Sequence, residues 1–151
     1  MNKVKISILT ATYNRANLLQ QLYESILKNL NDNIDVEWLI MDDGSTDNTR
    51  EVIERYKEQN KLEIKYFFQE NQGKMQAINN LIENVQSDLI IECDSDDYFT
   101  DNAFETIKNA YEKNEMKDFY ALCFLKYDQT GQNMGNNFKN ETSKMFDLYF
   151  K

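Results

Sequence analysis

The chain has 151 residues, about one domain's length, and is 41% hydrophobic and 13% aromatic, enough to close a single core without staples. Its formal net charge of -9 opposes any wrapping of a nucleic-acid backbone, which requires a basic footprint. The lack of histidine excludes Ser-His-Asp chemistry and histidine-ligated zinc.

The first residues run straight into a strand pattern without a secretory apolar region. No apolar run reaches bilayer length, so the expectation is a soluble, cytoplasmic chain. Val4 to Leu9 is a β-branched apolar run with a polar exit, Thr10-Ala11-Thr12-Tyr13-Asn14, which predicts a strand and then a loop. Leu18, Leu19, Leu22, Tyr23, Ile26 and Leu30 recur at the helical period, with Asn14 or Asn17 as candidate cap. Trp38 to Met41 predicts a second strand, ending in Asp42-Asp43-Gly44-Ser45. A helix through Val52, Ile53 and Tyr56 follows, with Ser45 or Asp47 as its cap.

Ile64 to Phe68 reads as a third strand, followed by Glu70-Asn71-Gln72-Gly73-Lys74 and a helix whose Met75, Ile78 and Leu81 are expected in the core. Leu89 to Ile91 reads as a buried fourth strand that stops at Asp94, Asp96 and Asp97. A helix through Phe104, Ile107 and Tyr111 follows, and then a fifth strand from Phe119 to Leu125. Cys93 and Cys123, each between apolar neighbours, read as small buried thiols in a reducing compartment. Asp128 to Asn133 reads as a turn. The apolar tail, Met145, Phe146, Leu148, Tyr149 and Phe150, is expected to be covered by further residues, a second copy or a partner chain.

Strands alternating with helices predict an α/β fold of right-handed βαβ units with a mostly parallel central sheet. Ligands of such sheets bind beyond the carboxyl ends of the strands. The polar groups at Thr12 to Asn14, Asp42-Asp43, Asn71 to Lys74 and Asp94 to Asp97 all follow strand ends, so they are expected to converge on one edge.

Crowded carboxylates repel one another unless a cation sits between them, and a hard divalent ion that also binds substrate phosphate meets that need. The plain alternative for the acidic run is a solvated turn. An EF-hand is excluded, because Asp94 and Asp96 fit its first and third positions but Phe99 stands where its glycine belongs. Asp42-Asp43-Gly44-Ser45 is either a turn with a cap or a carboxylate that accepts bonds from a nucleobase or ribose. Gly73-Lys74 lacks the spacing of a phosphate loop; the lysine is either solvated or balances a diphosphate. Tyr13 either stacks on a base or packs.

The order ILTATYNR, WLIMDDGSTDNT, ENQGKMQAINN, LIIECDSDD resembles the nucleotide-sugar-binding half of family 2 glycosyltransferases, which have the GT-A fold. The resemblance is specific from about Lys3 to Asp97 and looser beyond. It implies a Rossmann-like three-layer sandwich over residues 1-151. Thr12, Tyr13 and Asn14 would lie in the nucleotide loop, with Asp43 recognising the base, typically uracil, and Asp42, Asn71, Gly73 and Lys74 in the nucleotide-sugar site. Asp94-Ser95-Asp96 matches the DXD signature, in which Asp96 would hold Mn²⁺ or Mg²⁺ and Asp94 the ribose or metal-bound water.

The activity implied is inverting, metal-dependent transfer from a UDP-sugar to a glycan or lipid-linked acceptor in cell-surface polysaccharide synthesis, at the cytoplasmic face of the membrane. Two departures stand out. Ala11 stands where many relatives have proline, and the chain is expected to stop before the acceptor-binding segments and the general base of the family, which neither Glu141 nor Asp147 matches. The alternative is a non-catalytic sugar-nucleotide-binding module that takes its acceptor site from a partner. A receiver domain and a nucleotidyltransferase are disfavoured, since the first strand ends in neither an acidic pair nor a glycine-rich loop.

Overall fold

Branched and apolar side chains at Val4, Ile6, Ile8 and Leu9 favour extended backbone, and in the computed structural model β1 runs Val4–Thr12. Residues 3–114, 121–122, 124 and 126–135 are described. By contacts the chain divides into two units, Met1–Lys108 and Asn109–Lys151.

The first unit contains β1, α1 (Leu19–Asn29), β2 (Ile34–Asp42), α2 (Thr49–Glu58), β3 (Glu63–Phe68), α3 (Lys74–Ile82) and β4 (Leu89–Glu92), and α4 (Ala103–Asn114) begins in it. The strands form one parallel sheet in the order β3-β2-β1-β4. Val4 lies opposite Ile34 and Thr12 opposite Asp42. The chain leaves β1 toward β2 and β3 on one side and returns to its other side as β4, so the topological switch point falls between β1 and β4.

The alternation of β1 and β2 sends two sets of side chains to opposite faces. On one face Leu9, Leu39 and Met41 pack with Ala77, Ile78 and Leu81 of α3. On the other, Trp38 stacks with Tyr23 of α1 at 6.3 Å between centroids, and Tyr23 stacks with Tyr56 of α2 at 4.1 Å. Helices therefore cover both faces, giving three layers. The Trp38 indole N–H donates to Thr10 Oγ1 at 2.9 Å, and that hydroxyl donates to the carbonyl of Cys93 at 2.9 Å. One chain of hydrogen bonds thus crosses β2, β1 and the end of β4.

Several expectations need correction. β1 continues through Thr10 and Ala11, so Thr12 ends a strand and is buried instead of opening a loop. β2 starts at Ile34, four residues before Trp38; Glu37 masked the pattern, being fully buried with Ser7 Oγ donating to it and Lys65 Nζ at 2.6 Å. Leu18 precedes α1 without a side-chain cap, so neither Asn14 nor Asn17 serves. At α2 the N-cap is Asn48, while Asp47 accepts bonds from the Thr49 N–H and hydroxyl.

Met75 is 71% exposed, because the first turn of α3 overhangs the core that Ile78 and Leu81 enter. β4 is not sandwiched on both faces: Ile90 is half exposed, and among the described residues β4 pairs only with β1. Cys93 is buried one position past β4.

The fifth strand expected over Phe119 to Leu125 lies outside the described residues except at Ala121, Leu122 and Phe124, which are in no strand. Cys123, Glu141, Asp147 and the apolar tail also lie outside them. In the second unit the expected turn is present: Asp128 Oδ1 accepts from the N–H groups of Thr130 and Gln132, and Tyr127 bridges Asn133. Among the described residues no helix is long and apolar enough to cross a membrane.

Candidate functional site

Parallel strands put their carboxyl ends together, and here Thr12, Asp42, Phe68 and Glu92 end the four strands along one edge. Backbone bonds continue past the ends: Asp43 N–H donates to Thr12 O at 2.9 Å, Gln69 N–H to Asp42 O at 3.0 Å, and Cys93 N–H to Leu9 O at 3.0 Å. The loops that follow are cross-linked by side chains.

Asn14 takes a left-handed backbone (φ 52), which asparagine tolerates better than most residues. Its Oδ1 accepts from the N–H groups of Thr46 at 2.7 Å and Asp47 at 3.2 Å, while its own N–H donates to Ser45 Oγ at 2.9 Å. Asp47 Oδ2 returns the clasp by accepting from Ala16 N–H at 3.1 Å. Burial favours the protonated Asp47 carboxyl, but bonds from Thr49 and Ala16 outweigh it and hold the group below the usual carboxylate range. Asn14 is thus a fastener between two loops, and Tyr13 beside it is exposed.

The two carboxylates at the end of β2, Asp42 within it and Asp43 just after, are both buried. Asp42 accepts from Ser45 N–H at 2.8 Å and from the Tyr66 hydroxyl at 2.8 Å. Burial first, and the Asp42 bond second, raise the Tyr66 phenol well above its ordinary value. Asp43 Oδ1 accepts from Gln69 Nε2 at 2.7 Å and Gln72 N–H at 2.8 Å, and Oδ2 from Gly73 N–H at 2.8 Å. Both aspartates pin the loops beside them. Gly44 has φ +88, and a Cβ there would stand 3.0 Å from the backbone nitrogen of Asn71, so the two loops meet backbone to backbone.

Gly73 precedes α3, and Lys74 opens it. The Lys74 ammonium lies 2.6 Å from Asp94 and 2.9 Å from Glu92. Those two carboxylates raise its pKa, Asp94 more strongly, so it stays charged. Ser95 is buried and accepts from Arg15 Nη1 at 3.4 Å, and the same nitrogen lies 3.2 Å from Asp96 Oδ1. Asp94 and Asp96 are therefore each paired with one of the chain's own cations, Lys74 at the start of α3 and Arg15 in the loop after β1. Thr12 Oγ1 is buried at the end of β1 with no hydrogen-bond partner among the described residues.

Among the described residues no group of three or more Asp, Glu or Cys side chains is arranged to hold a metal ion. Asp94 and Asp96 retain 41% and 50% side-chain exposure. Two accessible carboxylates suit a hard ion that completes its shell with substrate phosphate and water, not a cage built from protein alone. The donor set fits a metal on those terms.

The residues expected at the edge are in the strand ends and loops there, with Lys74 at the first position of α3. Sequence reasoning missed Arg15, Gln69 and Tyr66. Tyr66 was within reach, since in parallel pairing it stands two positions before Phe68, the partner of Asp42.

The family model described as glycosyl transferase family 2 matches residues 7–150. The chain belongs to that family. Similar family members include an uncharacterized glycosyltransferase, MG060, of Mycoplasma genitalium, 31% identical over 132 residues, covering 82% of this chain and 44% of that protein. Glycosyltransferase GlyG of Streptococcus pneumoniae is 32% identical over 131 residues, covering 85% and 42%. The chain spans less than half the length of these relatives.

Among solved structures, S. aureus TarS 1-349 in complex with UDP is 25% identical with a TM-score of 0.68, over 74% of this chain and 33% of that one. Mannosyltransferase PcManGT from Pyrobaculum calidifontis, in complex with GDP-Man and Mn2+, shares the fold at 21% identity and a TM-score of 0.66, over 78% and 34%. The family 2 chain thus has the Rossmann-like GT-A architecture, with a parallel sheet between helices.

Proposed function

We propose that this family 2 chain is the donor-binding part of an inverting, metal-dependent glycosyltransferase that uses a nucleoside-diphosphate sugar, with UDP as the nucleotide. The observation that carries the reading is the cross-linked edge: four strand-end loops meet at the β1/β4 switch point, with Arg15 and Lys74 set among Asp94, Ser95 and Asp96. The UDP complex of TarS supports the choice of nucleotide.

In this reading Tyr13 stacks on the base. Asp43 Oδ2, which accepts a single bond from Gly73, accepts a second from the base through its other lone pair, while Asp42 shapes the turn beside it. The unpaired Thr12 hydroxyl supplies a hydrogen bond to the nucleotide, and Asn71 and Gly73 line the sugar-nucleotide pocket. Lys74 offers its charge to the diphosphate. Asp96, with Asp94, would hold Mn²⁺ or Mg²⁺. A divalent ion there supplies Lewis-acid stabilisation of the charge that builds on the departing diphosphate.

The acceptor in this proposal is a glycan or lipid-linked sugar of a surface polysaccharide met at the cytoplasmic face, and with the chain spanning less than half the length of its relatives no general base is assigned among its described residues. A second reading, a binding module completed by a partner chain, draws on the same shortfall in length against relatives. Calorimetric titration of UDP with Mn²⁺, with EDTA, and with Asp96→Ala tests the donor site. Binding that needs the metal and fails in the variant supports it, and no nucleoside diphosphate binding under any condition rejects it. Release of free sugar or transfer to added glycan acceptors by the 151-residue chain would count against the module reading.

A further inference from the structure

Arg15 spans the switch-point crevice from the β1 side to the β4 side. Its Nη1 lies 3.4 Å from Ser95 Oγ and 3.2 Å from Asp96 Oδ1. Ser95 is 1% exposed, so one contact is to a fixed point, while the other is to a carboxylate that keeps half its exposure. The guanidinium therefore occupies the aspartate that would hold the metal.

A guanidinium carries its charge at all accessible pH and matches carboxylate and phosphate equally well. An arginine displaced from Asp96 by a divalent ion therefore finds a second partner in a diphosphate bound in the same crevice. An exposed ion pair of this kind holds its carboxylate by a factor of only about two to five, so the contact is weak enough to exchange. It is still strong enough to disfavour a metal arriving alone.

We propose that Arg15 is an exchange latch: it holds Asp96 while the donor site is empty, and it yields that carboxylate and turns to a diphosphate oxygen when nucleotide and divalent ion bind together. The latch rests on the donor-site reading above. No covalent bond or proton changes hands; one ion pair is traded for another. Free metal then binds poorly and nucleotide improves it, and by linkage the metal improves nucleotide binding by the same factor.

The test measures Mn²⁺ binding to the whole chain by calorimetry, without nucleotide and with saturating UDP, in the parent, Arg15→Gln and Arg15→Lys. Arg15→Gln is expected to tighten nucleotide-free Mn²⁺ binding about two- to five-fold and to shrink the gain that UDP confers by at least that factor. Arg15→Lys keeps the charge but loses the planar fork, and is expected to fall between the parent and Arg15→Gln in both. The latch is overturned if Arg15→Gln changes neither quantity, or weakens Mn²⁺ binding equally with and without UDP, as loss of a purely structural tether would. Failure of the parent itself to bind UDP rejects the donor site, and the latch with it.

Discussion

Gly44 and Gly73 share φ +88 but not their surroundings. A Cβ on Gly44 would meet the Asn71 backbone nitrogen at 3.0 Å, whereas one on Gly73 would meet nothing within 4 Å. Gly44→Ala combines backbone strain with a clash against main chain and should cost about 3 kcal/mol; Gly73→Ala, at φ 88 and ψ 158, should cost about 1–2 kcal/mol from strain alone. Urea midpoints of the two variants check the order, and a reversal would show that the loops do not meet as described. Asp43→Asn tests the neighbouring anchor. An amide presents one N–H₂ where two oxygens now accept from Gln69, Gln72 and Gly73, so a donor faces a donor at a cost of about 1–3 kcal/mol. An unchanged urea midpoint would mean the loop is not pinned by Asp43. The Asp43 anchor was out of reach of the sequence, where Asp42-Asp43 read as a turn or as ligand groups, because the donors Asp43 satisfies lie 26 to 30 positions away.

β2 is the element that sequence reasoning shortened most, and its hidden half carries a fully buried carboxylate, Glu37. Periodicity registers which side chains are apolar, and Asp35 and Glu37 interrupt it. Glu37 is nonetheless buried, because Ser7 on β1 and Lys65 on β3 both donate to it, with Lys5 at 3.7 Å. Burial works to raise the Glu37 carboxyl, but the Lys65 and Ser7 bonds together outweigh it and hold the group below its ordinary value. The Glu37 bond raises Lys65. A lowered carboxyl stabilises the fold fully above its unfolded value, about pH 4–5, and that contribution fades as pH falls through the folded value. A raised lysine contributes below its own unfolded value, about pH 10, and loses it as pH climbs through the folded value. Stability should therefore be level near neutrality and decline at both extremes. Glu37→Gln should lose about 2 kcal/mol at pH 7, and its gap from the parent should narrow as pH drops from 6 to 3. A gap that stays constant across that range would separate the stability from Glu37 ionisation. Helices were easier to read: apolar positions at Leu19, Leu22, Ile26, Ile78 and Leu81 are core residues in the structure. Their caps were not: α1 starts without a side-chain cap, and Asn14 fastens the loop after β2 instead.

For the molecule as a whole, the convergence of strand-end loops was legible because a parallel α/β sheet allows little else, and the family followed from motif order. What stayed hidden was the internal charge balance of the edge, because pairing of Arg15 with Asp96 and of Lys74 with Asp94 depends on loop geometry rather than on spacing. If the edge takes a nucleoside diphosphate, binding must stabilise the folded chain by mass action. Ligand at about 100 times its dissociation constant gives ~2.7 kcal/mol, which for a chain of this size raises the melting temperature by about 5–10 °C. A scan with UDP and Mn²⁺ against one with EDTA checks this, and coincident melting curves would exclude a donor site of useful affinity. The scan needs no dye. Trp38 is the single tryptophan, fully buried, and its indole is wired through Thr10 to the carbonyl immediately before Asp94. Any ligand that pulls on the acidic loop also tugs the far end of that wire, so the protein carries a built-in optical gauge of its own binding edge, readable as a shift in tryptophan emission.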